Sequence, residues 1–176
     1  MIEQTEIRLS GSGGQGLILA GIILAEAALI DGKNAIQTQS YGPEARGGAS
    51  KAEVIISDND INYPKVRKSD ILLCLTQKAC DEYIHTLKEN GILIIDKNVN
   101  TPHRKDVTIY HCPIIDKAIN EVGKGMVANI VALGAINGIS QLVSKESLKK
   151  AILKRVPVGT EDINEKAFNE GLKINK

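Results

Sequence analysis

The pattern of apolar and polar positions along the chain predicts alternating strands and helices. Residues 17–30 are apolar on nearly every side, which predicts a helix that is covered on most of its faces. Asp31-Gly32 follows as a stop, because glycine adopts the left-handed conformation that ends many helices. Residues 71–75 are continuously apolar, as expected for a strand that is buried on both faces, and residues 91–96 predict another buried strand. A parallel sheet is therefore expected.

Weaker patterns complete the predicted elements. Strands are expected where β-branched and apolar residues cluster, at residues 7–9, 35–38, 52–57 and 107–110. Helices are expected at residues 77–88, with Thr76 as the cap and Asn90-Gly91 as the end, and at residues 116–122, 126–142, 145–154 and 162–173. Together these elements predict an α/β fold class: a single Rossmann-like domain over residues 1–176, with a mainly parallel sheet flanked by helices and a helical carboxyl end.

Length and composition exclude several classes of protein. The 176 residues fit one domain, and 43% hydrophobic with 24% charged residues is typical of a folded globule rather than of a disordered chain. The 22 Lys and Arg residues are balanced by 21 Asp and Glu residues, so the basic excess of a nucleic-acid-binding protein is missing. Aromatic residues make up only 3%, which disfavours base stacking. We therefore expect no nucleic-acid partner.

The cysteines and the longest apolar segment bear on location. Cys74, Cys80 and Cys112 form no CxxC pair and have no matching histidine spacing, so buried thiols are expected rather than a zinc or iron–sulfur site. An odd cysteine count without a signal sequence is typical of a cytoplasmic protein. The apolar segment at residues 17–30 is interrupted by Glu26 and is shorter than the roughly 18 to 20 residues that cross a bilayer, so no membrane partner is expected.

A glycine-rich turn, GSGGQG at residues 11–16, lies between the first predicted strand and the first predicted helix. In this position each glycine of the pattern GxGxxG has a structural role. The first permits a tight turn, the second lets a ligand approach the backbone, and the third allows close helix–strand packing. The free amides at the helix start also attract anions. An alternative is that the glycines serve packing alone. The candidate ligand- or subunit-contact residues are Gly11, Gly13, Gly14, Gln15 and Gly16.

A dinucleotide site has one further requirement, an Asp or Glu at the end of the second strand that holds the ribose hydroxyls. After residues 35–38 this chain has Gln39, Ser40 and Tyr41 instead. The additional glycine and the amide at Gly14 and Gln15 also crowd the turn. A free-standing dinucleotide-dependent oxidoreductase is therefore disfavoured, although it stays as an alternative.

A second loop, SYGPEARGG at residues 40–48, places a carboxylate, a guanidinium and three glycines after a strand. Ligands of open α/β sheets gather at the carboxyl ends of strands, and a guanidinium on a stiff loop suits a phosphate or a carboxylate. The alternative is a turn that uses glycine and proline for its backbone angles, with solvated charges. The candidate contact residues of this loop are Tyr41, Gly42, Glu44, Arg46 and Gly47.

Taken together, GSGGQG before an apolar helix and SYGPEARGG further on resemble the gamma subunit of the 2-oxoacid:ferredoxin oxidoreductases. The strands DILLCL and GILIID and the helix GMVANIVALG extend the resemblance over residues 7–142. The motif YGPEARGG is more similar to that of the 2-oxoglutarate and branched-chain 2-oxoacid members than to that of the pyruvate members.

The resemblance implies a subunit of an enzyme complex that oxidatively decarboxylates a 2-oxoacid, here 2-oxoglutarate, with coenzyme A as co-substrate, to acyl-CoA, CO₂ and reduced ferredoxin. It implies alpha, beta and ferredoxin-like delta subunits as partners, besides ferredoxin, with thiamine diphosphate and iron–sulfur clusters on those subunits. This chain has no GDG…NN thiamine motif and no cluster-binding cysteine spacing. We expect no cofactor, metal or catalytic residue on it, and no activity of the isolated chain.

Asn129 is the remaining candidate contact residue. It follows Gly125 at the start of an apolar helix, where free amides meet a phosphate or a partner carbonyl. The resemblance favours such a contact. The alternative is that Asn129 only begins the helix and contacts no ligand or partner. A small-ligand-binding scaffold that uses the same turn is the third functional alternative, beside the oxidoreductase subunit and the dinucleotide enzyme.

Overall fold

The structure is a computed structural model that describes residues 4–39 and 48–174. These residues form a six-stranded sheet with helices on both faces, in the strand order β2-β3-β1-β4-β5-β6. The strands are β1 (Gln4–Gly11), β2 (Asn34–Gln39), β3 (Ser50–Ser57), β4 (Ser69–Cys74), β5 (Leu87–Asp96) and β6 (Thr108–Cys112). The main helices are α1 (Leu17–Ile30), α2 (Gln77–Tyr83), α3 (Ile114–Asp116, continued by a π-helical turn at Lys117–Val122), α4 (Ala128–Ser140), α5 (Lys145–Arg155) and α6 (Glu161–Lys173).

The sheet is mainly parallel, as predicted. β1 pairs with β4, β4 with β5 and β5 with β6, all in parallel. β3 lies between β1 and β2 and is antiparallel to both, so it alone runs against the other strands. The predicted β–α–β unit is the segment from β4 through α2 to β5, and the α/β class with a helical carboxyl end is confirmed.

The larger hydrophobic core lies on the face of the sheet that α1, α4, α5 and α6 cover. Ile23 and Leu24 of α1 are fully buried in it, together with Leu9 of β1. α4 and α6 cross closely: a Cβ at Gly134 would lie 2.8 Å from the Cα of Gly171, so only glycine fits at the crossing. The close crossing ties the carboxyl-terminal helix to the core.

The smaller core lies on the opposite face, under α2. Leu72 and Leu93 of the sheet are fully buried there. Cys74 and Cys80 belong to this core and Cys112 belongs to the larger one, so all three cysteines are buried, as predicted. None of the helices in the described ranges is long and apolar enough to cross a bilayer.

The predicted end of the second helix is wrong. α2 ends at Tyr83, a 3₁₀ turn follows at Ile84–Thr86, and β5 begins at Leu87. Asn90 lies inside β5 with a φ of 60°, and its backbone N–H donates to the carbonyl of Asp106 at 2.7 Å. An Asn-Gly pair suits either a helix end or a strand irregularity, because both use the left-handed region. Here it forms the irregularity.

Smaller boundary differences occur elsewhere. β6 starts one residue and ends two residues later than predicted, at Thr108–Cys112. α4 starts at Ala128 because the preceding Gly125–Val127 forms a 3₁₀ turn. α1 occupies the predicted residues, and Gly32 after it has a φ of 76°, which confirms the predicted stop.

Candidate functional site

The glycine-rich turn and the end of the second loop meet in one cleft, which we call the glycine cleft. It has a volume of about 320 Å³ and is lined by Gly11, Ser12, Gly13, Gly48, Ala49, Thr76 and Lys78. The sheet register explains the meeting: β3 is antiparallel to β1, and Ser50 pairs with Gly11. The residues just before β3 therefore lie beside those just after β1.

The glycine-rich turn is closed by the side chain of Gln15. The backbone N–H of Ser12 donates to Oε1 of Gln15 at 2.8 Å. A Cβ at Gly11 would collide with that same oxygen, and it would lie 3.3 Å from Cβ of Leu75. Gly11 therefore permits the tight turn, as predicted for the first glycine. The side-chain oxygen of Gln15 is occupied by the turn itself.

Gly13 has a different character from its neighbours. Gly14 and Gly16 have φ angles of 84° and 72°, so their backbone conformation requires glycine. Gly13 is outside that region, is exposed, and a Cβ at this position would meet no atom within 4 Å. Nothing within the described ranges requires glycine at this position. A bare backbone facing an open cleft leaves room for a ligand or a partner chain.

Asn129 and Gly16 are brought together by the fold. The Nδ2 group of Asn129 donates to the carbonyl of Gly16 at 3.2 Å, and Oδ1 accepts from the N–H of Ile130 at 3.0 Å. Asn129 is buried, with 5% of its surface exposed. A Cβ at Gly16 would lie 2.5 Å from this Nδ2. The side chain thus fastens the start of α4 to the start of α1, while its contact with a ligand or a subunit stays a prediction.

The third wall of the glycine cleft comes from the start of α2. Thr76 caps this helix, because its Oγ1 accepts the N–H of Ala79 at 3.2 Å, as predicted. Lys78 is exposed, and its Nζ has no ion pair within the described ranges. It is the single charged side chain among the described residues that line the cleft. Lys78 is not among the site residues predicted from the sequence, although it follows β4, whose carboxyl end adjoins that of β1.

Gly48, the last residue of the second loop, and Ala49, which follows it, both line the cleft, and α2 holds the backbone of Ala49. Its N–H donates to Oε2 of Glu82 at 3.3 Å, and its carbonyl accepts from the hydroxyl of Tyr83 at 3.2 Å. The loop residues predicted to make contacts lie outside the described residues; they are Tyr41, Gly42, Glu44, Arg46 and Gly47.

An apolar pocket lies on the other side of the glycine-rich turn. Its volume is about 310 Å³, and its lining includes Gly14, Gly16, Leu19, Met126, Val127, Ile130, Val156, Pro157 and Ile163. Met126 is 80% exposed beside it, and Val158, which follows Pro157, is 97% exposed. Lys124 also lines the pocket. The carboxyl end of the sheet therefore combines a polar cleft with an exposed apolar surface.

Comparison with known proteins identifies the family. Residues 6–174 match the family model described as pyruvate ferredoxin/flavodoxin oxidoreductase. The chain belongs to this family. The 2-oxoglutarate synthase subunit KorC of Methanocaldococcus jannaschii is 54% identical over 175 residues, which are 97% of this chain and 94% of the relative.

Solved structures agree with this assignment. The gamma subunit of a keto/oxoacid ferredoxin oxidoreductase from Geobacter sulfurreducens superposes with a TM-score of 0.90 at 51% identity, covering 98% of this chain and 96% of that one. The pyruvate oxidoreductase subunit PORC of Thermotoga maritima has a TM-score of 0.77 at 28% identity, covering 98% and 97%. The predicted resemblance is confirmed: the chain is a gamma-type subunit of a 2-oxoacid:ferredoxin oxidoreductase and thus part of an enzyme.

Proposed function

We propose that this chain is the gamma subunit, folded as one domain over residues 1–176, of a cytoplasmic 2-oxoglutarate:ferredoxin oxidoreductase. The complex would convert 2-oxoglutarate and coenzyme A to succinyl-CoA and CO₂ and reduce ferredoxin. The observation that carries the choice of substrate is the difference in identity: 54% to a 2-oxoglutarate synthase subunit against 33% to a pyruvate synthase subunit.

In this proposal the redox centres belong to other subunits. Thiamine diphosphate is held by the alpha and beta subunits, and the iron–sulfur clusters by a ferredoxin-like delta subunit. The thiols of this chain support the division. Burial raises the pKa of Cys112 to about 11. A hydrogen bond to Cys80, with burial, holds the pKa of Cys74 well above its usual range. The same hydrogen bond lowers the pKa of Cys80, but one thiolate does not hold a cluster.

The glycine cleft is proposed to receive the phosphate-bearing part of coenzyme A. Lys78 supplies a positive charge without an ion pair within the described ranges, and Gly13 leaves the backbone open to a bulky anion. Arg46 is proposed to add a guanidinium from the second loop, since its planar fork matches phosphate oxygens. The second loop ends at Gly48, which lines the cleft, and this supports the placement.

The apolar surface beside the turn is proposed to contact the larger subunits. Met126 and Val158 are the most exposed large apolar side chains among the described residues. Apolar side chains exposed next to a pocket are typical of surfaces that another protein covers. Lys124 at the same pocket has no ion pair within the described ranges, so a partner carboxylate would complement it.

The substrate assignment is tested on the reconstituted complex with a viologen dye as electron acceptor. We expect kcat/KM for 2-oxoglutarate to exceed those for pyruvate and for branched-chain 2-oxoacids by at least about a hundredfold, since discrimination by a carboxylate-binding site is worth several kcal/mol. Each substrate is assayed with the same enzyme preparation and saturating coenzyme A. A higher value for pyruvate or a branched-chain acid would contradict the assignment.

A further inference from the structure

α2 joins two walls of the glycine cleft, and we infer that Tyr83 is a positioning residue for coenzyme A binding, assisted by Glu82. The inference rests on the proposed function of the cleft. Thr76 and Lys78 at the start of α2 line the cleft directly. Glu82 and Tyr83 at its other end hold the point where the second loop passes into β3.

Ala49 is held from both sides. Its N–H donates to the Glu82 carboxylate at 3.3 Å and its carbonyl accepts from the Tyr83 hydroxyl at 3.2 Å, so neighbouring residues of α2 bind both backbone groups. Ala49 is 2% exposed, which shields these hydrogen bonds from water. Gly48, which precedes it, lines the cleft. The hydroxyl of Tyr83 therefore helps to fix the second wall relative to the glycine-rich turn.

The ring of Tyr83 is itself fixed by charges. The guanidinium carbon of Arg8 lies 5.5 Å from the ring centroid, and Nζ of Lys51 lies 5.6 Å from it. Both cations bind Oε1 of Glu53, at 3.1 and 2.8 Å. Cations near the electron-rich face of an aromatic ring are attracted to it. Because the ring is held by this buried network, its hydroxyl is a donor with a fixed direction.

The Tyr83 hydroxyl is not the main contact that holds β3 and α2 in the fold. β3 is held by β1 and β2 along its length, and α2 by its buried side chains. Removing the hydroxyl leaves these contacts and the ring in place and releases the carbonyl of Ala49. The expected result is a displaced cleft wall in a folded protein, and hence weaker coenzyme A binding with unchanged chemistry at the redox centres of the other subunits.

The test is Tyr83→Phe in the reconstituted complex. We expect KM for coenzyme A to rise about three- to tenfold, the range that one lost hydrogen bond allows, with kcat and KM for 2-oxoglutarate within about twofold of wild type. Hydrogen exchange of the amides at residues 48–50 is expected to accelerate. Tyr110→Phe is the control, because Tyr110 is half-buried on β6 and does not line the cleft. It should leave both readouts unchanged.

The outcomes separate this inference from the function on which it rests. Unchanged exchange at residues 48–50 overturns the positioning role, whatever the kinetics. A parallel loss of kcat and of affinity for both substrates, with a lower melting temperature, shows a merely structural tyrosine and also overturns it. If Lys78→Ala raises KM for coenzyme A and Tyr83→Phe does not, the inference fails and the proposed function stands. If neither variant changes that KM, the proposed function of the cleft fails.

Discussion

Asn129 donates a side-chain hydrogen bond to the carbonyl of Gly16, and this contact joins the starts of two helices that lie far apart in sequence. Gly16 has a φ of 72°, and a Cβ there would lie 2.5 Å from Nδ2 of Asn129. The glycine is thus required twice, by its backbone conformation and by its neighbour. The glycine-rich turn owes its shape to a residue in a distant helix as well as to its own sequence.

Gly16→Ala is therefore expected to destabilise the chain by about 2–4 kcal/mol, from left-handed strain and the collision with Asn129. Gly14→Ala is the matched control, because Gly14 has a φ of 84° but open space around the position of a Cβ. It should cost only about 1 kcal/mol. Urea unfolding of the purified chain measures both; equal losses would show that Asn129 does not constrain the turn.

The crossing of α4 and α6 gives a second comparison of glycines. A Cβ at Gly134 would lie 2.8 Å from the Cα of Gly171, a backbone atom that cannot move without separating the helices. Gly134→Ala should cost about 3 kcal/mol. At Gly138 the nearest atom would be the carbonyl oxygen of Leu172 at 3.4 Å, an ordinary contact. Gly138→Ala should stabilise by about 0.5–1 kcal/mol through helix propensity, and thermal melting showing the reverse order would refute the crossing geometry.

Met126→Glu tests the apolar surface as a subunit contact. A carboxylate placed in a covered apolar interface loses its hydration, so the dissociation constant of this chain from the complex should rise at least about tenfold. Leu29→Glu is the control: Leu29 is 57% exposed at the opposite end of α1 from the glycine-rich turn. Size-exclusion chromatography of the reconstituted mixtures compares them. Equal assembly of both variants and wild type would exclude this surface from the interface.

Nicotinamide dinucleotides should bind no more tightly than millimolar. β2 ends at Gln39, and no carboxylate follows Thr38 at the position that holds the ribose hydroxyls. Titration calorimetry of the purified chain with NAD and with NADP measures this directly. A micromolar dissociation constant for either would restore the free-standing oxidoreductase as an explanation of the glycine-rich turn.

Local signals account for most of the fold. The apolar run at residues 17–30 predicts both ends of α1, and Gly32 marks its stop, because these features act within a few residues. From the sequence, Asn90 predicts a helix end as readily as a strand irregularity, because both place it in the left-handed region. What decides between them is the pairing of β5 with β4, which depends on residues far away.

The sequence identifies the glycines of the site, but it does not show which other residues lie beside them. The spacing of the glycines, between a predicted strand and a predicted helix, locates the turn. That Ala49 would lie beside it depends on the antiparallel pairing of Ser50 with Gly11, which no local pattern shows. Lys78 was missed for a similar reason: its place in the cleft follows from the position of β4 next to β1, while its own surroundings in sequence are those of an ordinary helix.

The proposal that this end of the sheet binds coenzyme A is tested most directly by Arg46→Ala and Lys78→Ala in the reconstituted complex. The measurement is the coenzyme A dependence of viologen reduction with 2-oxoglutarate, followed beside assembly by size-exclusion chromatography; Lys150→Ala, an exposed lysine on α5, is the control. We predict normal assembly and a coenzyme A affinity weakened by about 2–5 kcal/mol for Arg46→Ala and less for Lys78→Ala. Wild-type assembly, maximal rate and coenzyme A dependence in both variants would contradict the account, and loss of assembly alone would place Arg46 in a subunit interface instead.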